Sequence, residues 1–283
     1  MKPAPVGASE YDARIRRAEL LASRYPFAAE VLRFYSRVAE YQRDLYAQFP
    51  LNWGKAPLAR PDGRLRSGLN LVILLPHFPK WLNLVAQTGP SPLADAARQL
   101  ALRKSTDWTP LFADFWSFGC LPISAASTED AGASPLQRFL LLAFLHPYCE
   151  FVAAHQSQPA LETTYRTCPR CGALPLAGVL RPEGDGGKRR LLCSFCLQEW
   201  DFRRIYCAAC GEEDEKQLPV YVAEQFPHIR VEACETCKTY LRTIDLTKDG
   251  NAVPIVDDLA AIPLTLWAQE HGYARIHPNL LGT

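Results

Sequence analysis

Apolar residues recur every three or four positions up to about residue 160. After Tyr165 they fall into short runs broken by glycine, proline and charge. The first pattern predicts helices. Ser9 is placed to cap one over 10–24, and Pro26 suits the first position of the next. In that second helix Phe27, Val31, Tyr35, Val38, Tyr41, Leu45 and Phe49 form one stripe. Such an aromatic stripe reads as core, since no convergent polar groups accompany it. Further helices are predicted over 70–87 with a break near Pro76 or Pro79, over 92–104, over 108–117, and over 135–156. The last is entered through Ser134-Pro135 and bent or broken at Pro147. The small, polar stretch FGCLPISAASTEDAGASP reads as a surface loop. Residues 1–160 are therefore expected to form an all-α domain.

The second pattern predicts strands. GVLRPEGDGGKRRLL reads as a hairpin with its tip at PEGDGG, and VYVAEQFPHIRVEAC as a second hairpin with a longer connection. The tail, 251–283, predicts a last helix begun near Asp257 or Asp258, where the acids favour its N-terminus. Leu259, Ile262, Leu266 and Trp267 on it are expected to pack on the hairpins or on the helical domain.

Composition narrows the class. The chain has 283 residues, room for roughly two domains, and 31 basic against 30 acidic side chains. That balance gives no field to draw it onto DNA or an acidic membrane. Its longest apolar run, FLLLAFL, is far short of the roughly 20 residues a bilayer span needs. No apolar h-region follows the N-terminus, and Arg16-Arg17 leads into an amphipathic pattern rather than a twin-arginine signal. A cytoplasmic location is expected.

Ten cysteines carry the chemistry. Cys149, between Tyr148 and Phe151, reads as a small buried hydrophobe, and Cys120 stands near the polar loop. The other eight form four C-x-x-C pairs: Cys168/Cys171, Cys193/Cys196, Cys207/Cys210 and Cys234/Cys237. The first two pairs are 21 residues apart, the last two 23, and the middle two only ten. The first and third pairs are each followed by glycine, so the unit knuckle–hairpin–knuckle–strand repeats. Two knuckles facing each other supply four thiolates, the ligand set of one tetrahedral ion. The glycine lets the chain turn at positive φ. A ribbon of about 40 residues buries too little to fold unaided, so the ion belongs to the fold. A catalytic C-x-x-C belongs at a helix start after a strand, which these flanks are not. Two sequential sites are thus expected, one in a first rubredoxin-like or zinc-ribbon module (161–206) and one in a second (207–250). A crossed pairing of the first knuckle with the third also satisfies the count. The ligands suit iron and zinc alike. His228 is a possible spare ligand, though a lone histidine in a polar loop is more often exposed. His77, His146 and His155 read as satisfied core or surface groups.

Charge divides the ribbons. Between 166 and 206, Arg166, Arg170, Arg181, Lys188, Arg189, Arg190, Arg203 and Arg204 face four acids, a balance of +4. Between 207 and 245, Glu212, Glu213, Asp214, Glu215, Glu224, Glu232, Glu235 and Asp245 face four bases, a balance of −4. The ribbons are expected either to dock on each other or to offer a partner two faces of opposite sign.

CPRCG, CSFCLQEW with Arg203 shortly after, CAACG, EACETCKTYL, DDLA and EHGYAR, in that order, resemble the FdhE family, accessory proteins for formate dehydrogenase. The resemblance is specific in the C-terminal half and weak over the helical half. It implies a cytoplasmic maturation factor or chaperone that touches the catalytic subunit of respiratory formate dehydrogenase before export. It also implies rubredoxin-type iron sites, and it supplies no catalytic residues. Two other classes compete. A rubredoxin-like electron carrier is opposed by Leu197 and Lys238, which stand where rubredoxins typically have glycine, and by the unexplained helical half. A nucleic-acid-binding zinc ribbon is favoured only by Lys188-Arg189-Arg190 and Arg203-Arg204, and phosphate binding needs a larger basic surface.

Overall fold

The helical half is built around its most apolar segment. The structure, a computed structural model, describes residues 6–49, 73–104, 108–112, 134–155, 164–280 and 282. Helix α1 (Val6–Arg24) starts upstream of Ser9, which lies inside it rather than at its cap. Pro26 opens a single 3-10 turn before α2 (Ala29–Tyr46), so Phe27 stays half exposed while Tyr35, Val38 and Leu45 are buried. Next come α3 (Phe78–Thr88), preceded by a 3-10 turn at Pro76, and α4 (Ser91–Ala101). Of the helix expected over 108–117, residues 108–112 are helical and the rest lie outside the described residues, as do Cys120 and the polar loop.

Helix α5 (Pro135–Ala154) is apolar on all sides and hence enclosed, against α2, α3 and α4. Its start is fixed by a capping box between Ser134 and Gln137. Pro147 does not break it. Proline lacks the N–H that would bond the carbonyl four residues back. Here Gln42 Nε2 donates to that carbonyl, Ala143, at 2.7 Å, so the buried acceptor is satisfied from α2.

The second half is one sheet. Its strands are β1 (Pro175–Glu183), β2 (Gly186–Cys193), β3 (Glu199–Asp201), β4 (Val220–Ala223), β5 (Phe226–Cys234), β6 (Thr239–Asp245) and β7 (Ala274–Arg275). The order is β3-β2-β1-β6-β5-β4, with β7 beside β6. The first hairpin turns at Gly184-Asp185, where Gly184 has φ +55. The second turns over Glu224-Gln225 alone, tighter than expected, because a register shift between Val222 and Ala223 takes up the slack. The ribbons do dock. β1 and β6 run parallel, Gly178 opposite Thr243. A Cβ on Gly178 would sit 2.1 Å from Thr243 Oγ1, so only glycine admits this approach.

The tail forms two short helices, α6 (Pro254–Ala260) and α7 (Ile262–Glu270), in place of one. Pro254 and Pro263 each open one. Asp257 and Asp258 do not sit at a solvent-facing helix start; both are buried and paired. α6 touches α1 and α2 on one side and β1 and β6 on the other. Trp267 packs on Tyr221 at 4.6 Å between ring centroids, while Leu266 remains exposed.

Candidate metal centres

Each C-x-x-C turn is closed by its own backbone. The Cys168 N–H donates to the Ala173 carbonyl at 2.7 Å, and the Gly172 N–H to the Cys168 carbonyl at 2.7 Å. The third knuckle repeats this, with Cys207 to Glu212 at 2.9 Å and Gly211 to Cys207 at 3.0 Å. Gly172 and Gly211 have φ of 73° and 87°, the left-handed region that glycine enters without cost. After the second and fourth knuckles the same conformation is held by Leu197 (φ 54°) and Lys238 (φ 52°). The turn is therefore conformationally complete without glycine there.

These turns bring the sulfurs together in sequence. Cys168, Cys171, Cys193 and Cys196 form one cluster and Cys207, Cys210, Cys234 and Cys237 another, with every Sγ in a cluster within 4.8 Å of the others. The pairing is sequential and not crossed. Cys168 and Cys196 are 3.7 Å apart and Cys171 and Cys193 3.3 Å. In the second cluster Cys207–Cys237 and Cys210–Cys234 are both 3.7 Å. Disulfide sulfurs would be about 2.05 Å apart. Four sulfurs at about 2.3 Å from a central ion would be about 3.8 Å apart, so this donor set fits a tetrahedral metal.

Backbone donors aim at the same sulfurs. Phe195 and Cys196 N–H groups approach Cys193 Sγ at 3.3 and 3.4 Å, and Ala209 and Cys210 N–H groups approach Cys207 Sγ at 3.4 and 3.5 Å. Thr239 Oγ1 lies 3.0 Å from Cys237 Sγ. Without a cation the thiols of a cluster do not ionise together. Hydrogen bonds from Cys171, Cys193 and Cys196 hold Cys168 well below the usual thiol range. At Cys237 burial is outweighed by hydrogen bonds from Thr239, which lower it, while others are pushed up. Burial raises Cys193 well above the usual thiol range, and the neighbouring Cys168 sulfur does the same to Cys196. Burial also pushes Cys210 up to about 12. A bound cation reverses that preference, since coordination deprotonates a thiol.

The two centres differ in exposure. All four cysteines of the first are buried; in the second Cys210 is exposed and Cys237 half-buried. The first centre lies against α5. His146, buried there, meets the Ser194 carbonyl at 3.3 Å, and Arg170 donates to the Ala153 carbonyl at 2.9 Å. Burial lowers His146 to about 4, so it is neutral near pH 7. Cys149 is fully buried among apolar neighbours. His77 is half-buried and His155 exposed.

His228 is a correction. It is neither exposed nor a ligand. It is 4% exposed and lies 2.7 Å from Asp257 of α6, which also accepts from Arg17 of α1. Arg17 further reaches Asp249 at 2.7 Å. A second buried group joins Arg242, Arg275 and Asp258. Burial alone would raise the Asp258 carboxyl, and the two guanidinium groups hold it below its usual range instead. Their partners lie up to 240 positions apart, so no local signal announces them. Between the ribbons, Arg189–Glu232 at 2.6 Å and Arg203–Glu213 at 2.9 Å use the opposite charges, and Arg166 bonds the Ala209 carbonyl. Arg181, Lys188 and Arg190 pair instead with acids of their own ribbon.

Fold and centres together define a class: a helical protein joined to tandem four-cysteine ribbons that share one sheet. Models for the FdhE central domain and the FdhE C-terminal domain match residues 167–204 and 205–281. A Protein FdhE homolog of Pseudomonas aeruginosa is 30% identical over 92% of this chain and 86% of its own length. One from Aquifex aeolicus is 26% identical over 96% of this chain and 95% of its own. The crystal structure of the FdhE protein from Pseudomonas aeruginosa shares the fold, with a TM-score of 0.73 at 24% identity, covering 100% of this chain and 98% of that one. The chain belongs to the FdhE family.

Proposed function

We propose that this protein is an accessory factor for the formation of active respiratory formate dehydrogenase, a binding protein rather than an enzyme. It meets the catalytic subunit in the cytoplasm before export, through a surface organised by two metal ions. Cys168, Cys171, Cys193 and Cys196 hold one ion; Cys207, Cys210, Cys234 and Cys237 hold the other. Either iron of the rubredoxin type or zinc suits these ligands. Family membership supports the role, and one observation carries the mechanism: both sulfur clusters lie in a single sheet whose centre is locked by the β1–β6 pairing. Metal binding there fixes a protein surface. Among the described residues no helix is long and apolar enough to cross a membrane. The helical half, residues 1–160, serves as the platform for the ribbons at 161–206 and 207–250, with 251–283 bridging them.

The test is retention of the catalytic subunit by the tagged protein. Wild type is expected to retain it, and the Cys168→Ser/Cys171→Ser double variant to lose both metal at the first centre and the subunit. Retention by the metal-depleted variant at the wild-type level overturns the role of the centres. The exposure of Cys210 favours a second reading, a rubredoxin-like electron carrier or redox-priming factor. A reversible one-electron couple in the iron-loaded protein, with no subunit retained, would select it.

A further inference from the structure

Strand β4 is an open edge of the sheet, beside the more exposed metal centre. Its ladder with β5 fixes what it shows to solvent. The Ala233 N–H bonds the Pro219 carbonyl at 3.0 Å, so residues 219 and 221 direct their backbone groups at β5. Val220 and Val222 alternate with them, opposite Glu232 and Arg230, and direct their N–H and C=O groups away. Those groups have no hydrogen-bond partner among the described residues. Edge strands are ordinarily guarded by lysine, an internal proline or a covering segment. This one carries exposed valines, 52% and 66% accessible.

A cleft of about 300 Å³ adjoins it. Ile205, half exposed, and Val220 form its apolar side, and Cys207 and Cys234 of the second centre lie at its wall. Arg189, Arg204 and Arg230 face Glu232 across it. Glu232 is engaged by Arg189 and by Arg230, at 2.6 and 3.3 Å, while Arg204 is exposed with no ion-pair partner among the described residues. Three arginines against one glutamate, offset in part by the thiolates of the second centre, leave Arg204 as the cleft's exposed, unengaged positive charge, although the second ribbon is acidic overall.

The geometry points to β4 as a docking edge that takes an extended segment of a partner protein as an added strand, with acidic side chains over Arg204 and apolar ones against Ile205 and Val220. Main-chain bonds to Val220 and Val222 supply the pairing, and alternate side chains supply the choice of sequence. The segment would also cover the second centre. In its identification of the partner as the catalytic subunit, this rests on the function proposed above.

Two probes keep the inferences apart. The first is a fluorescein-labelled Glu-Val-Glu-Val-Glu-Val peptide, measured by anisotropy against the metal-loaded full chain. Wild type is expected to bind it, and a Lys-Val-Lys-Val-Lys-Val peptide not to bind. Arg204→Glu and Val222→Pro are each expected to weaken it about tenfold or more. Proline at 222 removes an outward N–H and leaves the β5 ladder intact. Metal content and thermal melting certify that both variants fold. Equal binding by either variant, or none by wild type, overturns the docking edge. So does a wild-type dimer in sedimentation that Val222→Pro makes monomeric, since a second copy then owns the edge. The second probe is the catalytic subunit. If the peptide is bound as expected and the subunit is not retained, the docking edge stands and the formate dehydrogenase role fails.

Discussion

Leu197 and Lys238 occupy the left-handed region that costs an L-residue about 1–2 kcal/mol, at positions where two other knuckles have Gly172 and Gly211. The metal loop imposes the conformation on whatever residue stands there, and the side chain contributes elsewhere. Leu197 is buried, and Lys238 pairs with Glu235 on the surface. An exposed ion pair contributes about 0–1 kcal/mol. Lys238→Gly relieves the backbone and loses the pair, so its stability is expected to stay within about 1 kcal/mol of wild type. Gly211→Ala relieves nothing. Its Cβ would lie 3.2 Å from the Tyr206 hydroxyl at a φ of +87°, and a loss of about 1–2 kcal/mol is expected. Thermal denaturation of the metal-loaded variants measures both. At this scale the candidate site was legible because its signals are local. Two-residue cysteine spacing, a following glycine and a glycine-rich hairpin tip act within a few bonds. Departure from glycine at 197 and 238 was visible too, and it proved compatible with the same turn.

Elements are held to one another by groups whose meaning the chain does not show locally. Asp257 sits early in α6, where a carboxylate suits a helix start. The structure uses it differently: Arg17 of α1 clamps both its oxygens at 2.6 to 3.2 Å, and His228 of β5 meets it at 2.7 Å. Arg17 is 6% exposed and Asp257 1%. Removing one charge leaves the other uncompensated in the interior, so Arg17→Ala is expected to cost about 3–5 kcal/mol in chemical denaturation. Arg17→Met with Asp257→Leu removes both charges and is expected to recover most of that loss. If the double variant is no more stable than the single one, the pair is not what joins α1 to α6. The same long-range rule explains what was misread. His228 looked exposed because its partners are far along the chain, and Pro147 looked like a break because Gln42, which satisfies Ala143, is on another helix. The tight turn at Glu224-Gln225 depends on a bulge that periodicity does not reveal.

Across the whole molecule the two centres are alike in sulfur geometry and unlike in surroundings. The first is enclosed by sheet and α5, with Arg170 and His146 tying its knuckles to the helix. The second lies near the open end of the sheet with Cys210 at the surface. A chelator must reach a sulfur or the ion before it can replace a ligand, so loss from the first centre requires local opening of packed structure. The second needs no such opening. Metal release to a coloured chelator at neutral pH is therefore expected in two phases of equal amplitude, the faster from the second centre. Cys234→Ser with Cys237→Ser should abolish the fast phase and leave the slow one. The converse substitution, Cys168→Ser with Cys171→Ser, should do more than remove the slow phase. It takes away the anchor beneath α5, and a lower melting point for the helical signal in circular dichroism is expected along with it. If both centres release together, the sheet opens as a unit through the β1–β6 seam, and the difference in exposure has no kinetic consequence. A fast phase that survives loss of Cys234 and Cys237 would instead assign the labile ion to the enclosed centre, against the burial that separates them.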